Sequence, residues 1–141
     1  MIIGIGTDMA NIARIADTLA QHGDRFVDRC FSDGERARVE TTAKGDARLR
    51  AAGYAKRWAA KEACAKALGL GIRDGIYLKD IAVANDDQGR PSLVLSGGAA
   101  GRLAAIVPAH LSPALHLSLS DDGGMALAFV IIAAEASHER G

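Results

Sequence analysis

Three residues in this chain have the types and spacing for phosphate chemistry assisted by a metal: Asp8, Glu62 and Lys66. Glu62 and Lys66 stand four apart in Arg57-Trp58-Ala59-Ala60-Lys61-Glu62-Ala63-Cys64-Ala65-Lys66. On a helix, which advances about 100° per residue, they share a face. Asp8 closes the apolar run Gly4-Ile5-Gly6-Thr7, where a strand would hold it rigidly. Magnesium takes one or two carboxylates, keeps waters and completes its shell with substrate phosphate. Arg57, Lys61 and Lys66 supply cations for the remaining phosphate charge. A metal with several cations suits phosphoryl-type transfer, where positioning and charge neutralisation do most of the catalysis.

Each piece also has a plainer reading. A Glu–Lys pair four apart is common on solvated helices and contributes only about 0.2–0.5 kcal/mol. Asp8 would serve equally as a turn or cap residue before the next helix. Arg14, Arg25 and Arg29 fall on similar azimuths if the first helical region is nearly continuous. They then form either a solvated face or a strip beside Asp8 that docks an acidic protein. Trp58 and Cys64 read as packing residues. Gly69-Leu70-Gly71 reads as a helix stop that could also approach a phosphate. Gly4-x-Gly6 is too short for a dinucleotide fingerprint.

The elements that must position these groups follow from pattern. Ile2–Thr7 is apolar and glycine-rich and predicts a strand ending at Asp8. Asn11 caps a helix to about His22, stopped by Gly23. Phe26, Val27 and Phe31 suggest a short helix or turn. Ser32 with Glu35 three later has capping-box spacing and opens another helix to about Glu40. Asp46–Leu68 is strongly helical, with a kink or break at Gly53 and a stop at Gly69. Its arc of Ala59, Ala60, Ala63, Cys64 and Ala67 is small enough to press against another backbone. Arg57 and Lys61 share a neighbouring, charged face. Tyr77–Ala84 and Ser92–Ser96 read as strands and Gly97–Val107 as a short helix. Leu115–Ser120 alternates apolar and polar residues, and Asp121–Gly124 turns the chain into Met125–Ala133. Helices first and an antiparallel meander later give an α+β fold in one domain over residues 1–141.

Composition narrows the function. Seventeen basic and seventeen acidic residues cancel, which argues against a general nucleic-acid binder. Two cysteines and four scattered histidines make no zinc spacing. The apolar start lacks a basic flank, so it does not read as a signal peptide. The apolar run Met125–Ala134 is far short of the roughly 20 residues of a bilayer-spanning helix. The expected location is the cytoplasm, with no membrane contact.

In order along the chain, Ile3-Gly4-Ile5-Gly6-Thr7-Asp8 with Arg14 resembles the opening of bacterial holo-acyl-carrier-protein synthases. Arg57-Trp58-Ala59-Ala60-Lys61-Glu62-Ala63 followed by Lys66-Ala67-Leu68-Gly69 resembles their central signature. Asp80-Ile81 with Gly89-Arg90-Pro91, and His116-Leu117-Ser118-Leu119-Ser120-Asp121, resemble their later motifs. Many members end the last motif in His where this chain has Asp121. The resemblance implies a phosphopantetheinyl-transferase-like fold, a long helix packed on an antiparallel sheet. It implies transfer of the phosphopantetheine arm of coenzyme A to a serine of apo-acyl carrier protein, releasing adenosine bisphosphate, in fatty acid biosynthesis and lipid metabolism. Asp8 and Glu62 would hold Mg²⁺. Glu62, directly or through a water it orients, would help take the serine proton. Lys66 would neutralise charge as the phosphoanhydride breaks. Arg57, Lys61, Lys66 and Gly69 would bind coenzyme A. Arg14 would dock the acidic carrier, and the basic strip read from the azimuths adds Arg25 and Arg29 to that surface. The resemblance also implies a homotrimer with sites between subunits. The competing functions are another metal-dependent phosphoester enzyme and a non-catalytic carrier-binding module.

Overall fold

The richest helix-forming stretch of the chain becomes its scaffold. In the computed structural model, residues 1–72 and 75–137 are described. The elements are β1 (Ile2–Asn11), α1 (Ile12–His22), α2 (Asp24–Cys30), α3 (Asp33–Ala43), α4 (Ala47–Ala67), β2 (Ile81–Asn85), β3 (Pro91–Leu95), α5 (Gly97–Ile106), β4 (Leu111–Asp122) and β5 (Met125–Ala136).

Local chemistry sets the boundaries. Asn11 caps α1 by accepting from the Arg14 N–H at 3.2 Å. Ser32 and Glu35 form the full reciprocal capping box at the head of α3. Asp46 accepts from Arg48 and Leu49 at the head of α4. Gly123 and Gly124 turn β4 into β5 with both φ angles positive, at 56° and 79°, as a tight hairpin demands.

β1, β5 and β4 form an antiparallel sheet with β5 at its centre, while β2 and β3 form a separate two-stranded hairpin. Every second residue of β5 from Ala126 to Ala134 is buried. That face of the sheet lies against α4. The expected small arc of α4 is buried as foreseen: Ala59, Ala60, Ala63 and Cys64 are inaccessible and Ala67 nearly so. The architecture is α+β, a long helix on an antiparallel sheet.

Four local expectations need correction. β1 continues three residues past Asp8, because it pairs with β5 as far as Asn11–Met125. Asp8 is therefore a mid-strand residue. α4 runs unbroken through Gly53, which leaves room for Val39 of α3: a Cβ there would lie 3.0 Å from the valine side chain. Leu78–Asp80 is a 3₁₀ turn, so the expected strand begins only at Ile81. The late strands form two sheets instead of one meander, because β5 takes β1 as its second partner.

Candidate active site

Asp8 lies on the face of β1 that meets α4, in alternation with Gly6 and Ala10. α4 brings Lys66 to it. The Lys66 ammonium donates to Asp8 Oδ1 at 3.1 Å and to the Thr7 carbonyl at 3.0 Å. Glu62, one turn earlier on α4, is half-buried beside them. Burial pushes its carboxyl above the usual range, the Asp8 charge adds to that rise, and Lys66 offsets part of it. Strand and helix thus bring Asp8, Glu62 and Lys66 together; spacing had implied only the shared face of Glu62 and Lys66, and the motif resemblance the join to Asp8.

This donor set suits a small divalent cation. Glu62, whose ionisation is opposed by burial and by the Asp8 charge, would gain from a cation between the two carboxylates. No group of three or more His, Cys, Asp or Glu able to hold a metal occurs among the described residues. Magnesium bound by two carboxylates, waters and substrate oxygens is compatible with this donor set.

The neighbouring charges divide differently than the pattern suggested. Lys61 was expected to bind cofactor phosphate, but its side chain is fully buried and committed elsewhere. Its ammonium donates to Glu35 Oε1 at 2.7 Å, to the Leu78 carbonyl at 3.2 Å and to the Ile81 carbonyl. Glu35 also accepts from the N–H groups of Ser32 at 3.0 Å and Val83 at 3.2 Å. The pair joins α3, α4 and β2 in the core. Packing of α3 and β2 over this side of α4 turns an apparent phosphate ligand into an internal strut.

Arg57 is buried too, at 7% exposure, but has no carboxylate among its hydrogen-bond partners. It donates to the Gly53 carbonyl and to Asn85 Oδ1, each at 3.2 Å, while its Nε has no partner among the described residues. Burial lowers its pKa, and nearby Arg38 lowers it further against an opposing effect from Glu35. It borders a cleft of about 400 Å³ with Arg38, Lys56, Asn85 and Ser120. An unsatisfied guanidinium in such a cleft is suited to an anion.

Gly69 ends α4 at φ 85°, exposed, with Arg102 over the helix terminus donating to the Leu68 carbonyl at 2.9 Å. Arg14, Arg25 and Arg29 are all exposed. The near-continuous helix assumed for them is corrected, because Gly23 at φ 47° separates α1 from α2. Arg25 and Arg29 still share one face of α2, four apart. Asp121 stands outside the Asp8 cluster and pairs with Lys56 at 3.3 Å. Sequence reasoning missed Glu35 as the partner of Lys61, Asn85 as the partner of Arg57, and Arg102. Glu35 had been noted only for its capping role.

Residues 4–128 match the model of the 4'-phosphopantetheinyl transferase superfamily. The chain belongs to that superfamily. A holo-[acyl-carrier-protein] synthase of Methylobacterium radiotolerans is 55% identical to this phosphopantetheinyl transferase over 134 residues, 95% of each chain. One from Caulobacter is 52% identical over 137 residues, 97% of this chain and 99% of the relative. The solved synthase–coenzyme A complex from Chronobacterium ammoniagenes superposes with a TM-score of 0.78 at 30% identity, over 93% of this chain and 96% of that one. Among the described residues of the transferase, no helix is long and apolar enough to cross a membrane.

Proposed function

We propose that this transferase moves the phosphopantetheine arm of coenzyme A onto a serine hydroxyl of an apo-acyl carrier protein, leaving adenosine bisphosphate. The observation that carries the reading is the meeting of Asp8, Glu62 and Lys66, with Glu62 made hard to ionise beside Asp8. The synthases to which the chain is similar, one of them solved with coenzyme A, supply the substrate class.

Asp8 and Glu62 would hold Mg²⁺, which when bound neutralises pyrophosphate charge and makes the phosphorus more electrophilic. Glu62 accepts the serine hydroxyl proton, directly or through a water, and its raised proton affinity suits that task. The serine oxygen bonds to phosphorus as the bridging pyrophosphate bond breaks. Lys66 neutralises the departing bisphosphate oxygen. Arg57 supplies a guanidinium for a further coenzyme A phosphate, and Gly69 leaves backbone open at the C-terminal end of α4. Arg14, Arg25 and Arg29 offer exposed positive charge to an acidic carrier.

The same reading places the chain in the cytoplasm, in fatty acid biosynthesis and lipid metabolism, as a homotrimer. What supports assembly is the outer face of the main sheet. Ile5, Met9 and Leu127 lie exposed there at 61%, 60% and 41%, an apolar patch that a second copy would cover. Sedimentation of the purified chain tests this, and a monomer at micromolar concentration would refute it.

The function is tested by incubating the chain with coenzyme A, apo-carrier and Mg²⁺ and weighing the carrier. A mass gain of one phosphopantetheine that chelator abolishes is expected. No gain, or a gain indifferent to chelator, refutes the reading.

A further inference from the structure

β1 and α4 meet more closely than side chains permit. A Cβ on Gly6 would lie 1.9 Å from the Ala63 carbonyl oxygen, and one on Gly4 would lie 2.0 Å from the Ala67 carbonyl oxygen. Both obstacles are backbone, so no rotamer change relieves them and the strand or helix would have to move. Neither glycine belongs to the set with positive φ. Their backbone conformations are open to any residue, so space alone requires glycine here.

The two contacts bracket the candidate metal site. Asp8 stands two residues beyond Gly6 on the same strand face. Glu62 immediately precedes Ala63, and Lys66 immediately precedes Ala67. Each glycine therefore meets the carbonyl of the residue that follows a site residue. Moving β1 off α4 would carry Asp8 away from Glu62 and Lys66 together.

We infer that Gly4 and Gly6 are positioning residues whose missing side chains set the gap between the Asp8 and Glu62 carboxylates to suit Mg²⁺. This rests on the metal reading proposed above. Mg²⁺ demands near-ideal octahedral geometry at about 2.0–2.1 Å, while Ca²⁺ accepts about 2.3–2.6 Å in flexible arrangements. A widened gap therefore costs Mg²⁺ more than Ca²⁺. Gly6, nearer Asp8, has the greater influence.

The test is calorimetric titration of MgCl₂ and CaCl₂ into the full chain at saturating coenzyme A, with no carrier and hence no turnover. Gly6→Ala should weaken Mg²⁺ binding by about 10–100-fold, the usual cost of disturbing residues that orient metal ligands, and lower the Mg²⁺/Ca²⁺ preference. Gly4→Ala should do the same less strongly. Gly101→Ala, in α5 with open space around it, should match the unsubstituted chain. Asp8→Glu should weaken Mg²⁺ binding alone, yet recover part of it on the Gly6→Ala background, where its extra methylene spans the widened gap. Equal Mg²⁺ affinity with and without Gly6→Ala overturns the inference, as does an Asp8→Glu effect of the same size in both backgrounds. Should Gly6→Ala fail to fold, Asp8→Glu alone decides, and unchanged affinity there overturns the fixed spacing. Absence of Mg²⁺ binding by the unsubstituted chain overturns the metal reading itself.

Discussion

Lys61 and Glu62 are consecutive on one helix and meet opposite fates. Lys61 faces α3 and β2, where it is sealed off and bonded to a carboxylate and two carbonyls. Glu62 faces β1, where its neighbours are a second carboxylate and a half-exposed ammonium. The first side completes its electrostatics within the protein; the second leaves them incomplete. A structural charge is fully partnered, whereas a chemical one keeps capacity for something that arrives later.

The sharpest way to break this contrast is to remove Lys61. Lys61→Ala leaves the Glu35 carboxylate buried without its cation, and the expected loss is about 3–5 kcal/mol, measured by denaturant titration. Replacing both partners, as Lys61→Met with Glu35→Gln, should recover most of that loss, because the unpaired charge goes with its partner. If Lys61→Ala folded normally and only weakened coenzyme A binding, the strut would be refuted.

Glu62→Gln should show the converse. Carrier modification should fall by about 10²–10⁴-fold, the range for losing a general base, in the mass-shift assay. Thermal stability should hold or rise slightly, because ionised Glu62 is disfavoured by burial and by Asp8 in the folded chain. A melting temperature that collapses with the activity would place Glu62 among the structural charges.

Arg57 lies between the two classes, being buried like Lys61 but incompletely partnered like Glu62. Arg57→Lys keeps the charge and loses the planar fork. The KM for coenzyme A should rise roughly tenfold, about the worth of one charged hydrogen bond, with kcat changed less. An unchanged KM would move Arg57 to the structural side.

Local rules made much of this legible. The capping box at Ser32 and Glu35, the Asn11 cap and the Gly123-Gly124 turn need only neighbouring residues, and each appears as expected. The α4 arc of small residues also announced close packing. The side of α4 that α3 and β2 would cover could not be read, because it depends on contacts 26 and 20 residues from Lys61. In one helix, Arg57 and Lys61 look like any solvated basic pair. Likewise β1 looked complete at Asp8 because its partner β5 lies at the far end of the chain. Asp8, Glu62 and Lys66 were assembled correctly because the motif resemblance supplied the long-range contact that periodicity lacks.

The smallest effect is expected at Asp121, and it calibrates the others. Its pair with Lys56 is 3.3 Å long, with the two side chains 41% and 32% exposed. Water competes for both charges, and such pairs contribute at most about 1 kcal/mol. Asp121→Ala should therefore shift the denaturation midpoint only slightly, and less still at high salt. Lys61 and Lys56 are both α4 lysines paired with one carboxylate of a neighbouring element, Glu35 of α3 and Asp121 of β4, and they differ most in burial. A loss at Asp121 comparable to that of Lys61→Ala would mean that burial is not what separates the two kinds of charge on α4.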